Sequence, residues 1–163
     1  MKLNILILTT FIIFSNCTNQ IKQENKSTID RKKDEEAIQT LLTTNWEASS
    51  AQNAKGVAET YLSDADAWIA GMPDRITGLD EIEQAEKGFG SIQGFQRYEG
   101  RIDSIRFISA DAAIVETTGT TILDTASFEE KVTIVVARSD NNWRIAAWRV
   151  MVFDEKLLDM WIE

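Results

Sequence analysis

The spacing of apolar residues changes period near residue 95, and no other feature of the chain constrains its fold as much. Before that point apolar side chains recur every three or four positions, as one face of a helix requires. After it they alternate or run together, as strands do. From Asp34, the positions Ala37, Ile38, Leu41, Leu42, Trp46 and Ala48 predict a first helix ending near Asn53. Val57, Ala58, Tyr61 and Leu62 predict a short second helix, then a turn at Ser63–Asp66 and a short strand, Ala67–Ala70. Gly71-Met72-Pro73-Asp74 closes that strand with turn residues. Gly78-Leu79-Asp80-Glu81 opens a third helix whose early acids complement the helix dipole, with Ile82, Ala85 and Phe89 on its buried stripe.

Four β-rich stretches follow, about Tyr98–Ile108, Ala112–Leu123, Phe128–Arg138 and Trp143–Phe153, joined by turn-like links such as Asp140-Asn141-Asn142. A final helix-like segment spans Asp154–Trp161. Helices first and a meander afterwards predict an α+β domain, three N-terminal helices packed on a strongly curved antiparallel sheet. In the last strand, strict alternation puts Trp143, Ile145, Ala147, Arg149, Met151 and Phe153 on one face, with Arg144, Ala146, Trp148, Val150 and Val152 on the other. Both faces are mainly apolar, so the C-terminal segment or a second subunit must cover the outer one. A homodimer through the sheet is the expectation.

The N-terminus predicts a different fate. Lys2, an apolar run from Leu3 to Phe14, and Ser15-Asn16 before Cys17 read as a secretory signal peptide over residues 1–16. The run is too short to span a bilayer. Cys17 is the only cysteine, and a lone thiol in an oxidising compartment is a liability. Ile12-Ile13-Phe14-Ser15-Asn16-Cys17 resembles the lipobox of bacterial lipoproteins, with Phe14 and Asn16 where Leu and a small residue are usual. That resemblance implies cleavage before Cys17, lipid on its thiol and tethering to a bacterial membrane of the cell envelope, periplasm-facing or at the surface. The alternative is an ordinary signal peptide, an incidental free thiol and a secreted protein. Residues 17–33 are polar and predict a flexible tether, with extension of the first helix back to about Ile29 as the alternative for the last of them, leaving one domain over 34–163.

Composition narrows the chemistry. The chain holds 17 basic and 26 acidic residues, a net charge of −9, which argues against nucleic acid as a partner. With no histidine and its cysteine committed to an anchor, no zinc or copper site is expected. Asp64-Ala65-Asp66 lacks the glycine and terminal glutamate of a calcium loop, and no Ser or Thr has an evident base beside it. No metal and no cofactor are therefore expected.

The candidate acid–base group is Glu116, which alternates with Ile114, Thr118, Thr120 and Ile122. Burial would raise its pKa if that face is interior. The opposite face, Val115, Thr117, Gly119, Thr121 and Leu123, is hardly more apolar, so the facing stays open. Trp46, Trp68, Met72, Tyr98 and Trp148 are candidates to line an apolar ligand pocket, alongside Glu116. For each the alternative is plain core packing or a solvated surface.

Several of these segments together carry a resemblance. Trp46-Glu47-Ala48 in the first helix, Gly56-Val57-Ala58-Glu59-Thr60-Tyr61-Leu62-Ser63-Asp64-Ala65-Asp66-Ala67, Gly78-Leu79-Asp80-Glu81-Ile82, and Asn142-Trp143-Arg144-Ile145-Ala146-Ala147-Trp148 follow in order and spacing. From about Glu35 to Phe153 the chain resembles the NTF2-like superfamily, particularly its DUF4440 and SgcJ/EcaC-type branch. The resemblance implies a cone: a bent sheet enclosing helices and an apolar pocket, often dimerising through the sheet's outer face. Ketosteroid-isomerase-like members place a carboxylate base at the end of the first strand, where this chain has Ile69; dehydratase-like members use a histidine, and there is none. The expectation is therefore binding of a small apolar or amphipathic molecule. The alternatives are an isomerase, dehydratase or hydrolase using inward carboxylates, or a dimerising interaction module. A pair of inward acids with a Tyr or His partner would favour the enzyme, and the sequence offers only Glu116.

Overall fold

The structure, a computed structural model, describes the backbone of residues 16–152 and the side chains of 31–151. All but the last residue of the expected signal segment, the Cys17 thiol and the helix-like segment Asp154–Trp161 lie outside these. The chain divides into two compact units, residues 1–35 and 36–163. In the first, the described backbone is helical from Asn16, the start of α1 (Asn16–Ser50), where polarity alone predicts an unordered tether. Residues 17–33 contain no Gly or Pro and several Gln, Lys and Glu, which carry little helical penalty.

The second unit holds the rest of α1, then α2 (Ala54–Ala58), β1 (Tyr61–Ile69), β2 (Ile76–Thr77), α3 (Gly78–Gly90), β3 (Phe95–Phe107), β4 (Ala112–Leu123), β5 (Ser127–Ser139) and β6 (Asn142–Val152). Along α1 the buried positions are Ile38, Leu41, Leu42, Asn45, Trp46 and Ser49, the stripe that helical spacing demands, while Ala37 is exposed. Asn53 caps α2, its side chain accepting from the Gly56 N–H at 3.0 Å. Glu81 reaches back from the first turn of α3 to accept from the Thr77 N–H at 2.7 Å.

The six strands form one curved sheet in the order β2-β1-β6-β5-β4-β3. This is the α+β architecture expected, with one departure from a purely antiparallel sheet: β1 runs parallel to β6. β1 also starts earlier than turn chemistry predicts. Ser63–Asp66 is not a turn but part of the strand, and the register slips between Tyr61 and Asp66. A bulge absorbs the extra residues there, which local composition alone cannot distinguish from a turn.

A second irregularity corrects the faces of β6. Val135 pairs with Ala147, yet Val136 pairs with Ile145, so Ala146 is an extra residue. An added residue shifts the side-chain phase by one position. Trp143 and Ile145 are therefore buried on the inner face, and beyond the bulge Trp148 and Val150 take over, not Ala147 and Arg149. Arg149 turns outward instead. It donates from Nη2 to both Asp66 carboxylate oxygens, at 2.7 and 2.6 Å, and Arg75 adds a third contact at 2.7 Å. Burial pushes the Asp66 carboxyl up, but the hydrogen bonds and charges of Arg149 and Arg75 outweigh it and hold the group below its ordinary value.

On β4 the inner face is Ala113, Val115, Thr117, Gly119, Thr121 and Leu123, opposite Val136, Ile134, Val132, Glu130, Phe128 and their neighbours on β5. Gly119 pairs with Gly100 of β3. These two glycines leave room that larger side chains fill. A Cβ on Gly100 would lie 2.1 Å from the Trp46 ring, and one on Gly119 would lie 1.9 Å from the Tyr98 hydroxyl.

Candidate functional site

Between the inner face of the sheet and the helices lies a cavity of about 80 Å³. That is room for several water molecules or a small organic group. Its lining is mostly apolar, with Ala67 and Ile69 from β1, Ile82 and Phe89 from α3, and Trp148 and Val150 from β6. Into this lining project two carboxyls, Glu86 of α3 and Glu130 of β5, and two phenols, Tyr61 of β1 and Tyr98 of β3.

Each polar group is placed by its element. Tyr98 is pinned through its backbone: Ser50, at the end of α1, accepts from its N–H at 3.1 Å and donates to its carbonyl at 2.7 Å. Phe89 packs edge-on against the Tyr98 ring at 6.2 Å between centroids. The Tyr98 hydroxyl, passing over Gly119, donates to Glu130 Oε1 at 2.7 Å. Glu130 sits on the apolar face of β5 with Val132 and Ile134 and is only 6% exposed. Glu86 shares the buried stripe of α3 with Ile82 and Phe89, and Ser49 of α1 donates to its Oε1. Asn45 donates to Thr60 Oγ1 at 2.9 Å, and Thr60 in turn donates to the Val57 carbonyl at 2.6 Å.

The electrostatics follow from burial. Desolvation raises Glu130 to about 7, against a modest lowering by the Tyr98 hydrogen bond and a further rise from the Glu86 charge. Desolvation likewise raises Glu86, partly offset by Ser49. Tyr61 is raised by burial and then by Glu86, with the Asn45 side chain pulling the other way. Tyr98 is raised well above the usual phenol value by burial and then by Glu130. Both tyrosines thus remain hydroxyl donors throughout the ordinary pH range. Glu130 is the group that changes charge near neutrality. Such a pair can hold a ligand oxygen or exchange a proton with it.

The residues singled out in the sequence are scattered by this geometry. Tyr98 and Trp148 line the cavity. Glu116 does not: it is exposed on the outer face, accepting from Thr133 Oγ1 at 2.8 Å. The correction is one of phase, since Val115 and Thr117 point inward and a strand turns neighbours to opposite sides. Trp68 is outward for the same reason, across from Arg149 in register, while Ala67 and Ile69 face the cavity. Trp46 is buried but packs over Gly100 and is not part of the cavity wall. Met72 lines a neighbouring surface depression with Arg75, Glu81 and Gln84, which shares Ile76 and Ala85 with the cavity. Glu86 and Glu130 carried a signal of their own: Glu86 lies on the helical stripe of Ile82 and Phe89, and Glu130 alternates with Phe128 and Val132.

No family model and no curated protein sequence matches the chain. Solved structures do. A domain of unknown function with a cystatin-like fold from Nostoc punctiforme superposes with a TM-score of 0.65 at 22% identity, covering 78% of this chain and 83% of that one. An NTF-2-like protein of unknown function from Shewanella oneidensis gives 0.60 at 19%, over 70% and 95%. A putative scytalone dehydratase from Novosphingobium aromaticivorans gives 0.64 at 14%, over 78% and 90%. At such identities the likeness speaks for architecture and not for chemistry. The chain thus has the NTF2-like, cystatin-like α+β fold.

Proposed function

We propose that the domain binds a small, largely apolar molecule in the cavity between α1, α3 and the inner sheet face, with Tyr98 and Glu130 contacting its polar end. The observation that carries this reading is the Tyr98–Glu130 hydrogen bond at 2.7 Å, buried yet opening onto an apolar cavity. Apolar walls with a few convergent polar groups are the usual form of small-molecule sites. Ala67→Phe, which fills the cavity from β1, supplies the test. Protein purified without denaturation and then extracted is expected to release a small molecule from wild type that the variant lacks. Identical extracts from the two would remove the cavity as a binding site.

Proton transfer is the second reading, and one arrangement favours it: two inward acids, Glu86 and Glu130, with tyrosine partners. In it Glu130 acts as general acid or base, as an isomerase or dehydratase would need, with Tyr98 donating to the oxygen where charge develops. Among the fold's neighbours, the putative scytalone dehydratase is consistent with that chemistry on this architecture.

The location belongs to the same proposal. Cys17, at the end of an apolar N-terminal run, is lipidated and holds the domain at a bacterial membrane through residues 17–33. Metabolic labelling with a fatty acid should mark the wild type and not Cys17→Ala; equal labelling would end the claim.

A further inference from the structure

We infer that the cavity takes a small organic cation, an ammonium head on a short apolar body, held between the carboxyls of Glu86 and Glu130 among the rings of Tyr61, Tyr98 and Trp148. The inference rests on the cavity being a binding site and adds the class of ligand.

Charge is out of balance in the cavity. Where this chain partly buries a carboxylate elsewhere, it supplies the counter-charge: Asp66 has both Arg149 and Arg75. In the cavity it supplies none. No Lys or Arg is among the described lining residues, and the chain has no histidine. Glu130 is more than nine-tenths buried, and only its Oε1 is used, by Tyr98; its second oxygen has no hydrogen-bond donor among the described residues. Glu86 likewise has one oxygen taken, by Ser49, and one open. Two open carboxyl oxygens in one small cavity, Glu86 from α3 and Glu130 from β5, are an unfilled demand for a donor carrying positive charge.

The remaining walls suit the rest of such a ligand. Aromatic rings attract cations through their π faces, most strongly where water is excluded, and four of them, Tyr61, Phe89, Tyr98 and Trp148, line the space. Apolar side chains of Ile69, Ile82 and Val150 accept a hydrocarbon body. An anionic ligand would meet two acids and no base. A neutral ligand gains nothing from an ionised Glu130, and this difference makes the two separable by pH. A cation draws Glu130 into its ionised form and releases a proton, so its affinity rises as pH increases through neutrality. A neutral acceptor needs the protonated acid, and its affinity falls over the same interval. The groups facing Glu130 are Tyr98 from β3, Glu86 from α3 and Tyr61 from β1. The helix α1 contributes uncharged Asn45 and Ser49, β4 contributes Gly119, and β6 contributes Trp148.

Choline and its uncharged carbon isostere, 3,3-dimethyl-1-butanol, differ in charge and hardly in shape, and calorimetric titration of the full chain with each is the test. Choline is expected to bind about tenfold more tightly than the isostere at pH 8. That preference should shrink at pH 5.5, and Glu130→Gln should abolish it. Glu86→Gln, a second variant that leaves the Tyr98 contact intact, should reduce it. Equal affinities for the two compounds, or choline affinity that falls with rising pH, overturn the cation and leave the binding site standing. Phenol, monitored by tryptophan fluorescence, covers the remaining case. If it binds while neither of the pair does, the cation alone is overturned; if none of the three binds, the cation and the site fall together.

Discussion

Glu130→Gln is expected to stabilise the protein by about 3 kcal/mol at pH 8 while leaving it almost unchanged at pH 4.5. In the folded chain the Glu130 carboxyl holds its proton to about 7, against an ordinary value of 4.5. The folded state therefore binds that proton more tightly than the unfolded state does. The stability it contributes is fully present below about 4.5, declines as pH rises, and is gone above about 7. Each tenfold gain in proton affinity is worth about 1.4 kcal/mol, which sets the size of the effect. Glutamine cannot ionise, and its carbonyl still accepts from Tyr98, so the variant escapes the loss. Glu86, raised in the same direction by burial, adds a slope of the same sign that the variant keeps. Asp66 works the other way, losing its contribution only as pH falls through its lowered value, so it leaves this window alone. Urea unfolding at the two pH values reads the difference. Parallel wild-type and variant profiles across that range would mean that Glu130 is not desolvated and that the site is wetter than its lining suggests.

Gly100→Ala should cost about 3 kcal/mol, the upper end of what overpacking a core usually costs. The new methyl would meet three atoms of the Trp46 ring at 2.1, 2.2 and 2.5 Å. Trp46 is 9% exposed and sits on the buried stripe of α1, so its ring has nowhere to retreat without moving the helix. Unfolding by urea, monitored by tryptophan emission, measures the loss, and an unshifted midpoint would show the ring free to swing away. Gly119, its cross-strand partner, offers the contrast. A methyl there strikes the Tyr98 hydroxyl and Glu130 Oε1, at 1.9 and 2.9 Å, so it disturbs the proton-holding pair. The same pair of facing glycines thus serves packing on one strand and chemistry on the other.

How far the site was legible depended on phase. Tyr98 and Trp148 were readable as pocket residues because each is a large aromatic side chain with a polar handle suited to a pocket wall. Glu130 was readable too, since it alternates with Val132, Ile134 and Val136 on a face that has no other acid. Glu86 stands three residues before Phe89 and four after Ile82, on the stripe that marks the buried face of α3. Neither stood out, because an acid among acids reads as surface unless its face is traced. Glu116 drew notice through the opposite error: the two faces of β4 carry nearly equal hydrophobicity, and only pairing with β5 tells which is inside. Trp68 failed in the same way, its size outweighing the small Ala67 that actually faces the cavity.

The sequence by itself determined the class of fold, the order of its main elements and the absence of histidine from its chemistry. It did so because apolar periodicity is a local property, set by the geometry of one helix or strand at a time. What only the tertiary structure decided was which side of each strand is inside and which acids meet. Bulges at Ala146 and within β1 shift the phase without leaving a mark in composition. The parallel pairing of β1 with β6, and the convergence of Glu86, Glu130, Tyr61 and Tyr98, join residues tens of positions apart. Their proximity is set by the register of a whole sheet, and burial, which gives Glu130 its proton affinity, exists only once that sheet has closed over it.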